Sequence, residues 1–263
     1  MIKVISFNAN GIRAAARKGF FDWFAKTNAD FLCIQETKAQ ISQLDDPIFS
    51  PLDYHRYFFD AQKKGYSGVA IYCKKKPKVI TRGLKIDWAD DEGRYIELEY
   101  ENFSIASLYL PSGSSGDIRQ TQKMDFLEQY TSTLSRHIKE KSNMIVCGDF
   151  NIVHKEIDIK NWKANQKNSG CLPEERAWLD KVFDDIGWVD AFREVNTEKD
   201  EYTWWSNRGQ ARANNVGWRI DYHLATPNLG GKASSTETYK DSWFSDHAPL
   251  ILEYDFDLKL NMK

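Results

Sequence analysis

At 263 residues, with 41% hydrophobic and 14% aromatic residues and charged residues interspersed rather than gathered in tails, the chain has material for one large core, which excludes a disordered or fibrous protein. The formal net charge of -2 excludes an overall basic field, so a polyanion partner must be met by a local patch. No stretch approaches a membrane span or begins with a secretory signal, and Cys33, Cys73, Cys147 and Cys171 are scattered, so we read the cysteines as reduced and the protein as cytoplasmic.

Residues 3–7 predict a buried strand that stops at Asn8, after which a small-residue turn leads past Arg13 and Lys18 to a short helix over residues 20–25. A second apolar run, residues 31–35, ends at Glu36, Thr37 and Lys38. Both strands deliver a polar group at their ends, although a solvated residue opening a loop is the alternative for Glu36. Residues 54–59, 67–73, 94–100 and 103–110 predict further strands joined by hairpins, the third with clean alternation. Among their connections, the loop at 65–68 carries Tyr66, and the lysine-rich turn at 74–78 reads as a blunted sheet edge rather than a phosphate site. Tyr109 closes the last run beside Pro111, either as a hydroxyl held at a strand tip or as a buried core tyrosine.

From Asp117 to about Lys141 the period changes, with Leu127, Tyr130, Leu134 and Ile138 on one helical face. The apolar run 144–149 follows and ends in Gly148, Asp149, Phe150 and Asn151. In extended geometry Asp149 and Asn151 point the same way, yet taken alone the run reads as a turn before it reads as a site, because Gly, Asp and Asn punctuate strand ends. Residues 161–170, a loop of amides and lysines with one tryptophan, have no core-forming pattern and look like a grip on phosphate. Pro173 opens a helix with inner face Trp178, Leu179, Val182, Phe183 and Ile186, closed by Gly187. Residues 217–225 predict one strand with Asp221 inside an apolar run, where a carboxylate needs a fixed partner. The run Ser245, Asp246, His247 supplies it: Asp221 and His247 form a candidate dyad, with a capped turn as the alternative. No linker divides the chain, so the expectation is a single domain over residues 1–257 and a short tail over 258–263.

The segments Ser6 to Asn8, Gln35 to Lys38, Tyr109 to Pro111, Gly148 to Asn151, residues 161–170, Gly217 to Asp221 and Ser245 to His247, in this order, resemble the exonuclease III family of apurinic/apyrimidinic (AP) endonucleases, bacterial exodeoxyribonuclease III type, of the endonuclease/exonuclease/phosphatase superfamily. The resemblance spans residue 3 to about residue 254 and reverses the turn-first reading of Asp149. It implies an α/β four-layer sandwich: two mixed β-sheets packed face to face and flanked by helices, with the active site at one edge. It also implies Mg²⁺-dependent cleavage of duplex DNA 5′ to abasic sites, with related 3′-phosphodiesterase, 3′-phosphatase and 3′ to 5′ exonuclease activities. One or two ions are implied, with Mn²⁺ as an alternative, in a monomer acting on DNA with abasic sites or blocked 3′ ends.

Carried onto this sequence, the resemblance makes Glu36 the primary metal ligand, with Asn8 and Asp246 around it. Asp149 would orient and deprotonate the attacking water, with Asn151 positioning that water or holding a phosphate oxygen. A second ion would also draw on Asp149, Asn151 and His247. His247, held by Asp221, would donate to a phosphate oxygen, and Tyr109 would do the same or assist the leaving oxygen. Arg13, Lys18 and Tyr66 match backbone contacts, while the loop opening at Asn161 supplies phosphate-binding amides at Asn165 and Asn168. Trp204, Trp218 and Ile220 match a pocket for the flipped abasic sugar, with core packing the alternative for Trp218. The sequence departs from animal enzymes at Asn10, where they carry aspartate, and at residues 206–210, where Arg208 is the candidate wedge. Two other readings stay open. A superfamily hydrolase for RNA or phosphoinositides leaves the 161–170 loop without a reason, and the intact constellation argues against a catalytically silent DNA-binding module.

Overall fold

The apolar runs become strands whose polar ends gather on one side. The computed structural model describes residues 1–259, so residues 260–263 of the expected tail lie outside the described residues. In chain order the strands are β1 (Ile2–Asn8), β2 (Phe31–Gln35), β3 (His55–Phe59), β4 (Val69–Cys73), β5 (Val79–Arg82), β6 (Tyr95–Glu99), β7 (Ser104–Tyr109), β8 (Met144–Asp149), β9 (Val189–Asp190), β10 (Trp204–Trp205), β11 (Gly217–Trp218), β12 (Asp221–Ala225), β13 (Ala233–Thr238) and β14 (Leu250–Tyr254). One six-stranded sheet has the order β13-β14-β1-β2-β4-β3 and the other β5-β6-β7-β8-β12-β9. Parallel pairing of β1 with β2 and of β7 with β8, among antiparallel neighbours, makes both sheets mixed.

The layers follow from which faces are apolar. Val4, Cys33 and Ile71 of the first sheet meet Ile96, Ile105, Ile145 and Cys147 of the second in a buried inner core. On the outside of the second sheet, the helix Asp117–Glu140 lays down Phe126, Leu127, Tyr130 and Leu134, joined by Trp178 and Leu179 of the helix Pro173–Asp180. On the outside of the first, the helix Phe20–Thr27 buries Phe20, Phe21 and Phe24. Burial of each such side chain contributes roughly 1.5–3 kcal/mol, so both flanking layers are held by the sheets rather than by helix propensity. This is the expected four-layer α/β sandwich. All four cysteines are buried and free, and no helix among the described residues is long and apolar enough to cross a membrane.

Several local expectations are corrected. The single strand predicted over 217–225 is two, β11 and β12, which lie in different sheets. The cause is Arg219, fully buried between them, whose guanidinium binds Asp158 Oδ1 and Asp190 Oδ2, each at 2.7 Å, while its backbone N–H donates to Asp158 O. These bonds turn the chain out of one ladder and into another. The alternation in β6 does not mean one wet face, because Tyr95 to Leu98 are all buried. Glu97 is accommodated by Lys141 Nζ at 2.9 Å and the Tyr95 hydroxyl at 2.7 Å. Phe183 and Ile186 are only partly buried, since the chain widens into a π-helical turn, Lys181–Ile186, before Gly187 ends it at φ 94°. A helix, Ile12–Arg17, occupies what the sequence presents as a turn, and Asn161 leads into a one-turn helix, Trp162–Asn165, within the amide loop.

Candidate active site

Strand ends place the site. β1 ends at Asn8, which pairs in register with Gln35 of β2, just before Glu36. In the second sheet Tyr109 of β7 pairs with Asp149 of β8, and Asp149 with Asp221 at the start of β12. Asp246 and His247 lie in the segment leading to β14, two residues short of its start, and His247 bridges to Trp204. These ends open onto a cleft of about 480 Å³, lined by Glu36, Tyr66, Tyr109, Asp149, Asn151, Trp204, Trp218, Ile220, Asp246 and His247. Ten predicted site residues therefore share one cavity.

At its floor, His247 Nδ1 lies 2.8 Å from Asp221 Oδ2 and His247 Nε2 lies 3.7 Å from Asp149 Oδ2. Asp149 is further held by Asn8 Nδ2 at 2.8 Å and by the Asn151 backbone N–H at 2.8 Å. Burial, together with the charge of Asp221, pushes the Asp149 carboxyl up to about 7 against the pull of His247. Burial opposes charge on His247, yet Asp221 and Asp149 outweigh it and raise the imidazole to about 10. For Asp246, burial is outweighed by His247 and by bonds from Asn10, Trp204 and Ser245, so its carboxyl is held below the ordinary range. At neutral pH the site thus pairs an imidazolium with a carboxylate poised to take a proton. Tyr109 is pushed well above its ordinary value by burial and by Glu36 and Asp149, so its hydroxyl stays protonated and can donate.

The backbone around the cleft is unusual. Asn10, Glu36, Lys38 and Asn151, none of them glycine, have φ of 42°, 56°, 48° and 51°. Such conformations cost roughly 1–3 kcal/mol where the side chain is unsuited, and they gather where geometry rather than stability is at stake. Asn151 is held by its own Nδ2 on Leu110 O and by Lys123 Nζ, which donates to Asn151 O at 2.9 Å and to Glu175 Oε1 at 2.6 Å. The other Glu175 oxygen accepts from the Gly170 N–H, so one fully buried ion pair fixes both Asn151 and the end of the amide loop. Gly170 has φ +91°, and a Cβ there would come 3.0 Å from both Asn151 O and the Trp218 ring.

The donor set fits a hard divalent cation. Glu36, Asp149 and Asp246 offer carboxylate oxygens, and Asp149, Asp221 and His247 each offer a donor atom within 4.8 Å of the others. The second Asp221 oxygen is buried without a hydrogen-bond partner among the described residues. Lys38 offsets part of the carboxylate charge at the other side of the site: its Nζ lies 2.8 Å from Glu36 Oε1 and 2.5 Å from Asn10 Oδ1, and Asn10 Nδ2 in turn donates to Asp246 Oδ1.

Other predicted residues are placed elsewhere. Asn8 is buried, with its amide spent on Asp149 and on the Asn10 N–H, so it supports the base rather than lining the cleft. Asp221 stands behind His247. Arg13 and Arg208 are exposed outside the cleft, and Lys18 lines a neighbouring cavity. In the amide loop Asn165 donates to Asn161 O and Asn168 to Asn165 Oδ1, which shapes the loop at the rim. The cleft is also lined by Arg94, Arg119, Ser112, Ser114 and Ser115, which the motif reading passed over. Glu92 binds both arginines, and Arg94 lies over the Tyr109 ring at 4.8 Å. The Ser/Gly run after Pro111 was the available signal for the serines.

The family model described as Endonuclease/Exonuclease/phosphatase family matches residues 5–247. The chain is 40% identical to the exodeoxyribonuclease of Bacillus subtilis (strain 168), over 95% of this chain and 98% of that one. It is 36% identical to the DNA repair nuclease APEX1 of Danio rerio, over 95% of this chain and 81% of that one. Among solved structures, an AP endonuclease from Archaeoglobus fulgidus matches with a TM-score of 0.87 at 27% identity, covering 97% of this chain and 100% of that one.

Proposed function

This chain belongs to the Endonuclease/Exonuclease/phosphatase family, and from that premise we propose that it is a DNA-repair phosphodiesterase that cleaves duplex DNA on the 5′ side of abasic sites, with related activities on blocked 3′ ends. The observation that carries the reading is one cleft in which Glu36, Asp149, Asp246 and His247 face an apolar wall of Trp204, Trp218 and Ile220. That wall suits a deoxyribose without a base, and flipping such a sugar costs least where nothing is paired.

Hydrolysis adds water to phosphorus and breaks the P–O3′ bond, leaving a 3′-hydroxyl and a 5′-phosphate on the abasic residue. Asp149, ionised and anchored by Asn8, takes the proton of the attacking water, and Asn151 positions that water. His247 donates from Nε2 to a phosphoryl oxygen, because Asp221 occupies Nδ1. Tyr109, protonated and at the same cleft, donates to another phosphoryl oxygen or to the departing O3′. Mg²⁺ held by Glu36 and Asp246 would supply positive charge to the phosphoryl and leaving oxygens. One general acid or base contributes about 10²- to 10⁴-fold, so several groups acting together are required. Arg13, Lys18 and the loop with Asn161, Asn165 and Asn168 would hold the flanking phosphates, with Tyr66 and Arg208 against the duplex. We take residues 1–257 as one catalytic domain, acting as a monomer in the cytoplasm.

The test is the chemistry of the cut end. A duplex labelled 5′ to a stable abasic analogue should yield a fragment that a DNA polymerase extends directly. A fragment that cannot be extended would mean cleavage on the other side of the sugar and would overturn the proposal.

A further inference from the structure

Among the described residues, Trp243 is the one aromatic in the set of exposed large hydrophobics, at 58% exposure, and it stands three positions before Asp246. Its ring is braced rather than loose. The Arg212 guanidinium lies 4.7 Å from the Trp243 ring centroid and 4.7 Å from that of Trp205, so the cation is held between two indoles. Trp205 is buried and donates Nε1 to Asn215, and Arg212 Nη1 donates to Ser245 O at 3.3 Å. The sandwich is therefore tied to the segment that carries Asp246 and His247.

The place of this ring points to its occupant. Trp243 borders a cavity of about 100 Å³ shared with Lys18, Asn207 and Ser245, and that cavity has Asn10 and Asp246 in common with the cleft. The surface beyond the reacting group thus offers, in continuity, a rigid aromatic face and an exposed ammonium. An indole face recognises the π-face of a base, and an ammonium the phosphate that accompanies it. Bases inside a duplex are covered by their neighbours, so away from a strand end the ring can be used only by a nucleotide out of its pair.

We propose that Trp243, braced by Arg212, is a stacking platform for an unpaired nucleotide of the DNA strand next to the reacting phosphodiester, with Lys18 meeting its phosphate; the proposal rests on the nuclease reading above. It makes the protein favour damage whose flanking pairs are frayed or mismatched.

The test uses Trp243→Ala and Trp243→Phe with two labelled duplexes, measured by fluorescence anisotropy in chelator so that no turnover intervenes. Both duplexes carry the same stable abasic analogue. In one the flanking nucleotides are paired, and in the other they are mismatched. Trp243→Ala should weaken binding to the mismatched duplex about tenfold or more, while leaving the paired duplex and the thermal unfolding midpoint unchanged, and Trp243→Phe should restore most of the loss. Equal affinity of Trp243→Ala and wild type on the mismatched duplex, or an equal loss on both duplexes, would overturn the platform. If wild type nicks the paired abasic duplex in Mg²⁺ and only the mismatch effect is missing, the platform alone fails. If wild type neither binds nor nicks it, the nuclease reading fails and takes the platform with it.

Discussion

His247 Nδ1 lies 2.8 Å from Asp221 Oδ2, with both side chains buried and the second Asp221 oxygen unpartnered among the described residues. The bond commits the imidazole to present Nε2 to the cleft, and it is one cause of the rise of His247 to about 10. Replacing Asp221 by Asn keeps the shape but removes the charge. Asp221→Asn should lower kcat by about 10²- to 10⁴-fold with little change in DNA affinity. The alkaline limb of the pH–rate profile should also move to lower pH, because the imidazolium loses the carboxylate that held its proton. A variant with wild-type kcat and an unmoved limb would remove His247 from the chemistry.

Asp149 gives the opposite limb. Burial and the charge of Asp221 lift its carboxyl to about 7, and only the ionised form can take a proton from water. Activity should therefore rise with pH through the neutral range. A divalent cation nearby favours the carboxylate, so raising the Mg²⁺ concentration should shift this limb to lower pH. Rate profiles at several Mg²⁺ concentrations read this directly, and a limb that stays fixed would place the titrating group away from the ion.

How much of this was legible in the sequence differs from residue to residue. Strands β1, β2 and β8 end where the apolar runs end, so Asn8, Glu36 and Asp149 could be placed at strand tips from hydropathy alone. That these tips converge, and that Asp221 faces His247, is a matter of sheet order joining residues far apart in the chain. The Asp221–His247 pair was legible as a buried carboxylate in need of a partner, whereas the convergence of the tips was anticipated only through the resemblance. Arg219 was misread because its neighbours Trp218 and Ile220 look like strand, and its partners Asp158 and Asp190 lie remote in sequence. Lys123 carried no signal at all in the sequence, yet it is fully buried against Glu175. Polar residues that pair inside the protein have no hydropathy signature of their own.

The Arg219 network makes a stability prediction. Arg219 is buried between the rings of Phe192 and Tyr222 as well as between two aspartates, and removing it leaves Asp158 charged in the interior. Arg219→Met should destabilise by about 3–5 kcal/mol in urea unfolding, with Arg219→Lys losing less. Because Arg219 also sets the break between Trp218 and Asp221, the variant should raise KM for abasic DNA more than it lowers kcat. A stable variant with unchanged KM would contradict both roles.

His223 predicts sensitivity to acid. It is fully buried, and desolvation lowers its imidazole from 6.5 to about 3. The native state thus stays neutral where the unfolded chain takes up a proton, so stability is unaffected above about pH 6.5 and falls as pH drops from there toward 3. The slope reaches at most about 1.4 kcal/mol per pH unit for this residue. His137 and His154, also lowered by burial, add in the same direction. Urea midpoints between pH 7 and 4 should fall steadily, and His223→Gln should flatten the slope even if it is less stable at pH 7. A slope identical to wild type would mean that His223 is protonated in the native state.

Hydrolysis of DNA at abasic sites in this cleft, with the help of a divalent ion, can be observed outright. The most direct measurement is the initial rate of strand cleavage on a duplex with one stable abasic analogue, beside the same duplex undamaged or ending in a 3′-phosphate, in Mg²⁺ and in chelator. Rapid nicking at the analogue is expected in Mg²⁺, with slow cleavage of the undamaged duplex and silence with chelator or with Asp149→Asn. Removal of the 3′-phosphate without nicking at the analogue would contradict the assignment to abasic sites, and no activity on any of the three would contradict DNA as the substrate.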